Sequence, residues 1–262
     1  MKIGFIGIGK IASAVIEGLC TSAAPLAEGM VLYLSPRNEK NSLYLAGKYP
    51  GAVYRMDGNQ EVLDSSDIVF ISVRPAAAPE VLGALRFDPR HTIISLIPLL
   101  PYAGLAAAVA PATDISRAIP LPTVMQHNCP IPLYRANDTV VRLFRYIGQP
   151  LPVEEEGQLH VIWTLTGLIT PFYEMLDTLS DWTTIHGVRR ETANTYIADM
   201  FQSLSYLAQH SDPIDFRELA QHAATPNGMN EQAGKQIREK GAHEAYREAS
   251  DRLLERFDKV RS

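Results

Sequence analysis

A short glycine-rich stretch near the start of the chain offers the clearest chemistry in the sequence. Gly7, Gly9 and Ala12 match the pattern G-x-G-x-x-G/A, directly after an apolar run and at the start of a helical pattern. The first glycine permits a tight turn, the second lets the backbone approach a pyrophosphate, and a small third residue lets helix and strand pack closely. Backbone N–H groups at the helix start attract the anion. The pattern predicts a dinucleotide site, with a merely tight turn as the alternative.

The end of the second apolar run indicates which dinucleotide is bound. NAD enzymes commonly carry an acidic residue there, which hydrogen-bonds to the ribose 2′-hydroxyl. This chain has Ser35 and Arg37 there, and no acidic residue before Glu39. An arginine can pair with a 2′-phosphate, and hydrogen bonds to a charged group contribute about 1.5–3 kcal/mol each. We predict NADPH as the cofactor, with Arg37 and Ser35 at its phosphate; the alternative is that Arg37 is a solvated turn residue.

The first half of the chain alternates apolar runs with helical patterns. Five runs are typical of strands: KIGFIGI, MVLYLS, DIVFISV, TIISLI and TDISRAI. Stretches with helical spacing or helix caps separate these runs, and a further helical pattern, VVRLFRYIG, precedes Pro150 and Pro152. Strands that alternate with helices predict a parallel, doubly wound α/β sheet.

The second half lacks strand patterns. Apolar residues recur at helical spacing in three stretches: 161–179, 193–207 and 242–257. Gly167 and Pro171 should interrupt the first of these helices. We therefore predict an α/β Rossmann domain over residues 1–153, followed by an all-α helical domain over residues 154–262.

Composition excludes several classes of function. The chain has 262 residues, a net charge of −5 and a pI near 5.8, which gives no electrostatic case for nucleic-acid binding. Its two cysteines form neither a metal motif nor a disulfide framework. The uncharged stretch from Thr92 to Thr113 is long enough to span a membrane, but its prolines and its strand-like start favour an αβ segment. We expect no membrane span, no signal peptide and a cytoplasmic location.

Five stretches together resemble the pyrroline-5-carboxylate reductases. They are GFIGIGKIASAVIEGL, VFISVRP at 69–75, SRAIPLP at 116–122, HGVRRETA at 186–193, and ATPNGMNEQAGKQIREKGAHEAYREA at 224–249. The resemblance covers nearly the whole chain, and the last stretch is the most specific. It implies a Rossmann domain and a helical domain that interlocks with a second subunit. It also implies reduction of a cyclic imine by NAD(P)H, in a cleft near the subunit interface.

The resemblance also implies roles for residues of the first half. It places the cofactor pyrophosphate at Gly7, Gly9, Lys10 and Ile11, the adenosine end at Ser35 and Arg37, the adenosine ribose at Asn59, and the path to the nicotinamide at Ser72, Val73, Arg74 and Pro75. For Asn59 the alternative is a helix N-cap. The family usually has lysine where Arg74 stands.

The substrate motifs depart from the family pattern. Where the family has R-A-M-P-N-T-P, this chain has Leu121 at the position of the asparagine. Its S-G-S-G-P-A-Y aligns poorly with the stretch TGLITPF at 166–172. Its S-P-G-G-T-T is here T-P-N-G-M-N, so that Asn227 replaces a glycine and Met229 and Asn230 replace threonines. We therefore expect a retained scaffold with an altered substrate pocket.

Hydride transfer to C=N needs the imine carbon placed against the nicotinamide, with no metal and no nucleophile. A substrate carboxylate would need N–H donors, and Thr225 or Asn227 is expected to cap a helix that starts near Met229 and attracts an anion. An ordinary capped turn is the alternative. Gly228 belongs to the same substrate turn. Asn230 is the catalytic candidate, since its side chain can hydrogen-bond the imine nitrogen directly or through water.

Three other functions stay open. A β-hydroxyacid dehydrogenase shares the layout, but the chain has no lysine between Lys48 and Lys235 to serve as its acid/base. An F420-type NADP oxidoreductase resembles the front half only, and a non-catalytic NADPH-binding regulator also fits the altered turn. His160 and His186 are candidate acids, although a lone helical histidine is more often structural. We predict a homodimeric, NADPH-dependent imine reductase whose substrate is a small molecule other than pyrroline-5-carboxylate.

Overall fold

The computed structural model describes residues 1–23 and 29–259. The chain forms two compact units, one made of Met1–Trp163 together with the residues from Leu254 onward, the other made of Thr164–Leu253. The first unit therefore extends ten residues beyond the boundary predicted after residue 153. The reason is a small apolar cluster in which Leu159 and Trp163 pack with Phe257.

A single sheet organises the first unit. Its strands are β1 (Lys2–Ile6), β2 (Val31–Leu34), β3 (Val53–Arg55), β4 (Ile68–Ile71), β5 (Thr92–Ser95), β6 (Asp114–Ala118), β7 (Cys129–Tyr134) and β8 (Gly148–Val153). They lie in the order β3-β2-β1-β4-β5-β6-β7-β8. Strands β6 and β7 pair antiparallel, and all other neighbours pair parallel. The predicted doubly wound fold is confirmed; β3, β7 and β8 were not predicted.

Seven helices of the described chain begin in the first unit. They are α1 (Lys10–Thr21), α2 (Glu39–Lys48), α3 (Asn59–Asp64), α4 (Ala78–Gly83), α5 (Tyr102–Ala108), α6 (Asp138–Arg145) and α7 (Glu156–Thr164). Short 3₁₀ turns occur at Pro75–Ala77 and Pro122–Gln126. The uncharged stretch from Thr92 to Thr113 contains strand β5 and helix α5, as expected. No helix within the described residues is long and apolar enough to cross a membrane.

The sheet buries an apolar cluster on each face. Successive residues of a strand point to opposite faces, so Phe5 joins one cluster and Ile6 joins the other. Phe5 stacks on Phe70 of the neighbouring strand with ring centroids 4.6 Å apart, and Phe144 of α6 packs edge-on against Phe70. The two covered faces fix the carboxyl ends of β1, β2 and β4 at one edge of the sheet, where the candidate site lies.

The second unit consists of helices. A 3₁₀ turn at Leu165–Leu168 interrupts the first predicted helix, and the helices are α8 (Ile169–Ile185), α9 (Arg190–Gln209), α10 (Phe216–Ala223), α11 (Met229–Glu239) and α12 (Ala242–Asp258). The residues of α12 from Leu254 onward belong to the first unit. Helices α8 and α9 pack together and bury Ala193 and Ile197. Many large apolar side chains of this unit remain exposed in the single chain: Phe172, Tyr173, Trp182, Ile185, Tyr196, Leu204, Tyr206, Leu207, Phe216, Met229 and Ile237.

Candidate functional site

Gly7 forms the turn between β1 and α1. Its φ of +92° lies in the left-handed region, which glycine adopts at no steric cost. A Cβ at this position would lie 2.7 Å from the Ser72 carbonyl oxygen and 3.0 Å from a methyl carbon of Val73. The backbone at the ends of β1 and β4 therefore approaches so closely that only glycine fits.

Gly9 has a different reason to be glycine. It is the N-cap of α1, no side chain caps the helix there, and a Cβ would meet no other part of the chain within 4 Å. The residue thus leaves space open beside the first N–H groups of a twelve-residue helix with no acidic residue in its first turn. Ala12, the third small residue, is fully buried against the sheet. This arrangement fits a bound pyrophosphate.

Two asparagines that were not predicted brace this turn. The side-chain amide of Asn38 donates to the Ile8 carbonyl oxygen at 2.8 Å, and that of Asn41 donates to the same oxygen at 2.9 Å. Asn38 also caps α2, since its Oδ1 accepts from the Asn41 N–H. The sequence carried one signal for this brace, a capping residue directly after the second strand.

Ser35 has a structural task that differs from its predicted one. It is fully buried, and its Oγ accepts from the Gly7 N–H at 2.9 Å. The prediction that this hydroxyl reaches a 2′-phosphate is at odds with its complete burial. Ser35 instead fixes the glycine turn from the end of β2.

Arg37 lies just beyond β2 and is exposed. It forms no ion pair within the described residues, so its guanidinium is available to an anion. At this position dinucleotide-binding folds distinguish NAD, with its ribose 2′-hydroxyl, from NADP, with its 2′-phosphate. Its contact with a 2′-phosphate stays a prediction.

The other predicted cofactor residues lie at the same edge of the sheet or at the start of a helix. Lys10 is the exposed first residue of α1, and Ile11 packs partly against the core. Asn59 is the first residue of α3, whose N-cap is Gly58, so the alternative role of Asn59 as N-cap is wrong.

The segment after β4 supplies the remaining predicted cofactor residues. Ser72 and Val73 border the Gly7 turn. The exposed Arg74 precedes the 3₁₀ turn that begins at Pro75. The structure thus places these residues beside the end of β1, and their contacts with a cofactor stay predictions.

A buried polar cluster lies at the carboxyl end of β6 and was missed in the sequence. The guanidinium of Arg117 is fully buried, donates to the Glu156 carboxylate, and lies 2.8 Å from Nε2 of His160. It also donates to the carbonyl oxygens of Ile97 at 3.1 Å and Pro98 at 2.9 Å. The only sequence signal was a charged residue inside an apolar strand.

Aromatic rings close this cluster. The Trp163 ring centroid lies 5.2 Å from the Arg117 guanidinium carbon, and Phe257 stacks on His160 at 4.8 Å. His160 therefore sits among fixed partners in the interior, as the structural interpretation of a helical histidine expects. His186 is exposed at the end of α8 and contacts the Trp182 carbonyl oxygen through Nδ1.

The cysteines do not provide a nucleophile. Cys20 and Cys129 are both free and buried. Burial, with a contribution from the nearby Glu17 charge, raises the pKa of the Cys20 thiol to about 12. Burial also raises the pKa of Cys129. Within the described residues, no group of three His, Cys, Asp or Glu side chains is placed to hold a metal.

In the second unit, the predicted substrate turn precedes α11. Asn227 adopts a left-handed φ of +59°, and its N–H donates to Oε2 of Glu231 at 2.8 Å. The helix N-cap is Gly228, with no side-chain cap, so the expected capping by Thr225 or Asn227 is wrong. A Cβ on Gly228 would lie 2.2 Å from the Thr225 hydroxyl and 2.9 Å from the Thr225 carbonyl oxygen, and the close backbone contact favours glycine there.

Two further residues of the turn face different surroundings. The Asn230 side-chain amide donates to the Ala223 carbonyl oxygen at 2.9 Å, a bond that orients the amide. Met229 is 87% exposed. The turn therefore presents a thioether side chain, an oriented amide and a carboxylate.

Comparison with known proteins matches both halves of the chain. The family model described as NADP oxidoreductase, coenzyme F420-dependent, matches residues 2–98, and the model described as pyrroline-5-carboxylate reductase dimerisation matches residues 156–260. A pyrroline-5-carboxylate reductase from Pseudomonas aeruginosa is 26% identical over 97% of this chain and 96% of its own length.

Solved structures show the same fold over the whole chain. The 1-pyrroline-5-carboxylate reductase of Streptococcus pyogenes superposes with a TM-score of 0.83 at 20% identity, covering 99% of this chain and 98% of that one. A Plasmodium falciparum pyrroline carboxylate reductase with NADP bound gives a TM-score of 0.83 at 18% identity, covering 100% of this chain and 98% of that one.

The glycine-turn site on a Rossmann sheet, followed by a helical dimerisation region, defines an NAD(P)H-dependent oxidoreductase of the class that acts on C=N bonds. Within that class, the chain is similar over nearly its whole length to the pyrroline-5-carboxylate reductases.

Proposed function

We propose that this protein is an NADPH-dependent reductase of an imine other than pyrroline-5-carboxylate. The observation that carries the proposal is the contrast between its two sites. The glycine turn, with Gly7 forced by close packing and Gly9 open beside α1, supports the binding of a dinucleotide. The substrate turn has instead exchanged a glycine and two threonines for Asn227, Met229 and Asn230.

The residues of the first unit position the cofactor. The first N–H groups of α1 hold the pyrophosphate, and the exposed Arg37 binds the 2′-phosphate. Ser35, Asn38 and Asn41 keep the turn in its binding conformation through their bonds to Gly7 and Ile8. When bound, NADPH supplies the hydride for the imine carbon.

Residues near the reacting end have supporting tasks. Arg117 binds two carbonyl oxygens of the segment that follows β5, at the carboxyl edge where doubly wound sheets bind ligands. Asn230, whose amide is oriented by Ala223, is the residue that hydrogen-bonds the substrate nitrogen. Since a carboxamide does not exchange protons as a hydroxyl does, the nitrogen takes its proton from solvent or arrives already protonated.

Two glycine variants test the cofactor site. Gly9→Ala adds a methyl group that meets nothing in the chain, so we expect unchanged thermal stability but a strong loss of NADPH binding. Gly47→Ala in α2 is the matched control, because a Cβ there also meets nothing within 4 Å. Fluorescence titration with NADPH measures the cofactor affinity of both variants. Equal affinities in the two variants would favour the tight-turn alternative.

A substrate panel tests the reaction. Cyclic and acyclic imines, with pyrroline-5-carboxylate among them, are scored by NADPH oxidation. We expect turnover of at least one imine in preference to pyrroline-5-carboxylate. NADPH binding without turnover of any imine would favour the non-catalytic alternative. The F420-type alternative has less support, because its family model stops at residue 98 while a separate dimerisation model matches 156–260.

A further inference from the structure

We propose that Glu231 makes this enzyme select imines that carry no carboxylate beside the C=N bond. The proposal rests on the proposed function and names its substrate class. It starts from the charge at the N-terminus of α11, the helix that follows the substrate turn. Glu231 is the third residue of this helix, and its carboxylate folds back to accept from the Asn227 N–H at 2.8 Å.

This contact changes what the helix start can bind. Free N–H groups and the helix dipole would favour an anion at this place. Here the chain supplies its own anion at the helix start: Glu231 accepts the N–H of Asn227, just before the N-cap Gly228, and a substrate carboxylate at the first-turn N–H groups would face its negative charge. In the part of the chain that the structure describes, no lysine or arginine forms an ion pair with Glu231. The nearest neighbours along the turn, Asn227, Gly228 and Met229, carry no charge.

The other groups of the turn agree with this selectivity. Met229 is 87% exposed and offers an apolar, polarisable surface. The amide nitrogen of Asn230 gives one of its two N–H donors to the Ala223 carbonyl oxygen. The apolar side chain of Met229 and the carboxylate of Glu231 together disfavour an anionic substituent. They accommodate an uncharged one, and the carboxylate favours a protonated, cationic C=N group.

Glu231 could also act only as a helix cap, because a glutamate at this position commonly bonds back to the N-terminal backbone. The substitution Glu231→Gln separates the two roles. Glutamine keeps a side-chain oxygen that can accept from the Asn227 N–H, but it removes the charge. A capping role predicts little change in Glu231→Gln, whereas a selective charge predicts a change that depends on the substrate.

The decisive measurement compares 1-pyrroline with 1-pyrroline-5-carboxylate, two rings that differ only in the carboxylate. We expect the wild type to reduce 1-pyrroline with the higher kcat/KM, by about tenfold or more. Glu231→Gln should narrow that ratio of kcat/KM values by about fivefold or more, mainly by raising kcat/KM for 1-pyrroline-5-carboxylate. Glu239→Gln, at the last residue of the same helix, is the control and should leave the ratio unchanged. Preference of the wild type for the carboxylated ring, or an unchanged ratio in Glu231→Gln, overturns the proposal.

Binding of saturated analogues keeps this test separate from the proposed function. Calorimetric titration of the NADP-bound protein with pyrrolidine and with proline requires no turnover. Tighter binding of pyrrolidine, with a gain for proline in Glu231→Gln, supports the role of Glu231 even if no imine in the panel is reduced. Tighter binding of proline by the wild type overturns that role even if imines are reduced.

Discussion

The guanidinium of Arg117 and the carboxylate of Glu156 form an ion pair whose arginine side chain is fully buried. The same carboxylate oxygen accepts from the Tyr102 N–H at 2.6 Å. The pair thereby joins the end of β6, the start of α5 and the start of α7. Three segments at the carboxyl edge of the sheet are held in register by one buried charge and its partner.

Removal of Arg117 alone should destabilise the protein more than removal of both partners. Arg117→Met leaves the Glu156 carboxylate without its cation, and because that side chain is 21% exposed, the loss should not exceed about 3–5 kcal/mol, the value for a fully buried pair. The double variant Arg117→Met/Glu156→Met leaves no charge behind and should lose less. Urea unfolding measures both, with Arg247→Met at an exposed ion pair as control, expected to cost less than about 1 kcal/mol. If the double variant lost as much unfolding free energy as the two single variants together, this account would be contradicted.

The glycine turn could be predicted from sequence because its causes are local. A strand end, two glycines and a small residue at fixed spacing define Gly7, Gly9 and Ala12. The altered substrate turn was also visible, since it differs residue by residue from a known pattern. The N-cap of the helix that follows this turn was not predicted correctly, because the backbone places Gly228 there instead of Thr225 or Asn227.

The missed elements depend on tertiary pairing. Strands β7 and β8 carry prolines at alternate positions, in CPIPLY and GQPLPV, and proline normally argues against a strand. Here β8 lies at the sheet edge, and β7 pairs with β6 over only two residue pairs, so few ladder hydrogen bonds are lost. The partner of Arg117 lies 39 residues away in sequence, and no local pattern identifies it.

Arg37→Ala should reduce the preference for NADPH. The guanidinium is exposed beyond β2 and replaces the acidic residue of NAD enzymes. Its loss should raise KM for NADPH by about tenfold or more while KM for NADH changes little. Arg86→Ala, another exposed arginine of the first unit, is the control. An intact preference in Arg37→Ala would make Arg37 a solvated turn residue.

The protein should be an obligate homodimer through its second unit. The stripe on α9 is buried at Ala193 and Ile197 but exposed at Leu204 and Leu207, by 54% and 59%. Exposed apolar surface of this extent usually marks an interface. Light scattering should give a dimer, and Leu204→Asp/Leu207→Asp should dissociate or unfold it. Leu43→Asp on α2 is the control, and a well-behaved wild-type monomer at micromolar concentration would contradict the prediction.

Stability should fall in mild acid partly because of His91. Burial, together with the Arg90 charge, lowers the pKa of His91 below its ordinary value of 6.5. Its Nδ1 already accepts from the Asp88 N–H at 3.0 Å, so the neutral ring is the one that fits. Below pH 6.5 the unfolded chain therefore takes up a proton that the folded chain resists. The contribution is present above that pH and is lost as the pH falls.

His91→Gln should flatten this dependence. The slope of the unfolding free energy against pH should be lower in the variant by up to about 1.4 kcal/mol per pH unit, the value for one proton. Chemical unfolding at several pH values below 7 measures the slope. His243→Gln, at an exposed histidine, should keep the wild-type slope. Equal slopes in the wild type and His91→Gln would remove His91 from the explanation.

Pyrroline-5-carboxylate should be a poor substrate because the turn before α11 has lost the groups that match it. Asn227 adds bulk where the family has glycine, and Met229 and Asn230 remove two hydroxyls. Pocket groups matched to a substrate's polar atoms discriminate far better than apolar fit. The loss of one such donor costs about 1–3 kcal/mol, or roughly tenfold to a hundredfold in kcat/KM.

The triple variant Asn227→Gly, Met229→Thr and Asn230→Thr should therefore gain activity toward pyrroline-5-carboxylate while it loses activity toward the best imine of the panel. Asn227→Gly also relieves a left-handed backbone at φ +59°, so the variant should fold at least as well as the wild type. Steady-state kinetics with both imines measures the exchange, and thermal unfolding checks the fold. Efficient wild-type reduction of pyrroline-5-carboxylate, with no better imine in the panel, would make this a proline-forming reductase despite its altered turn.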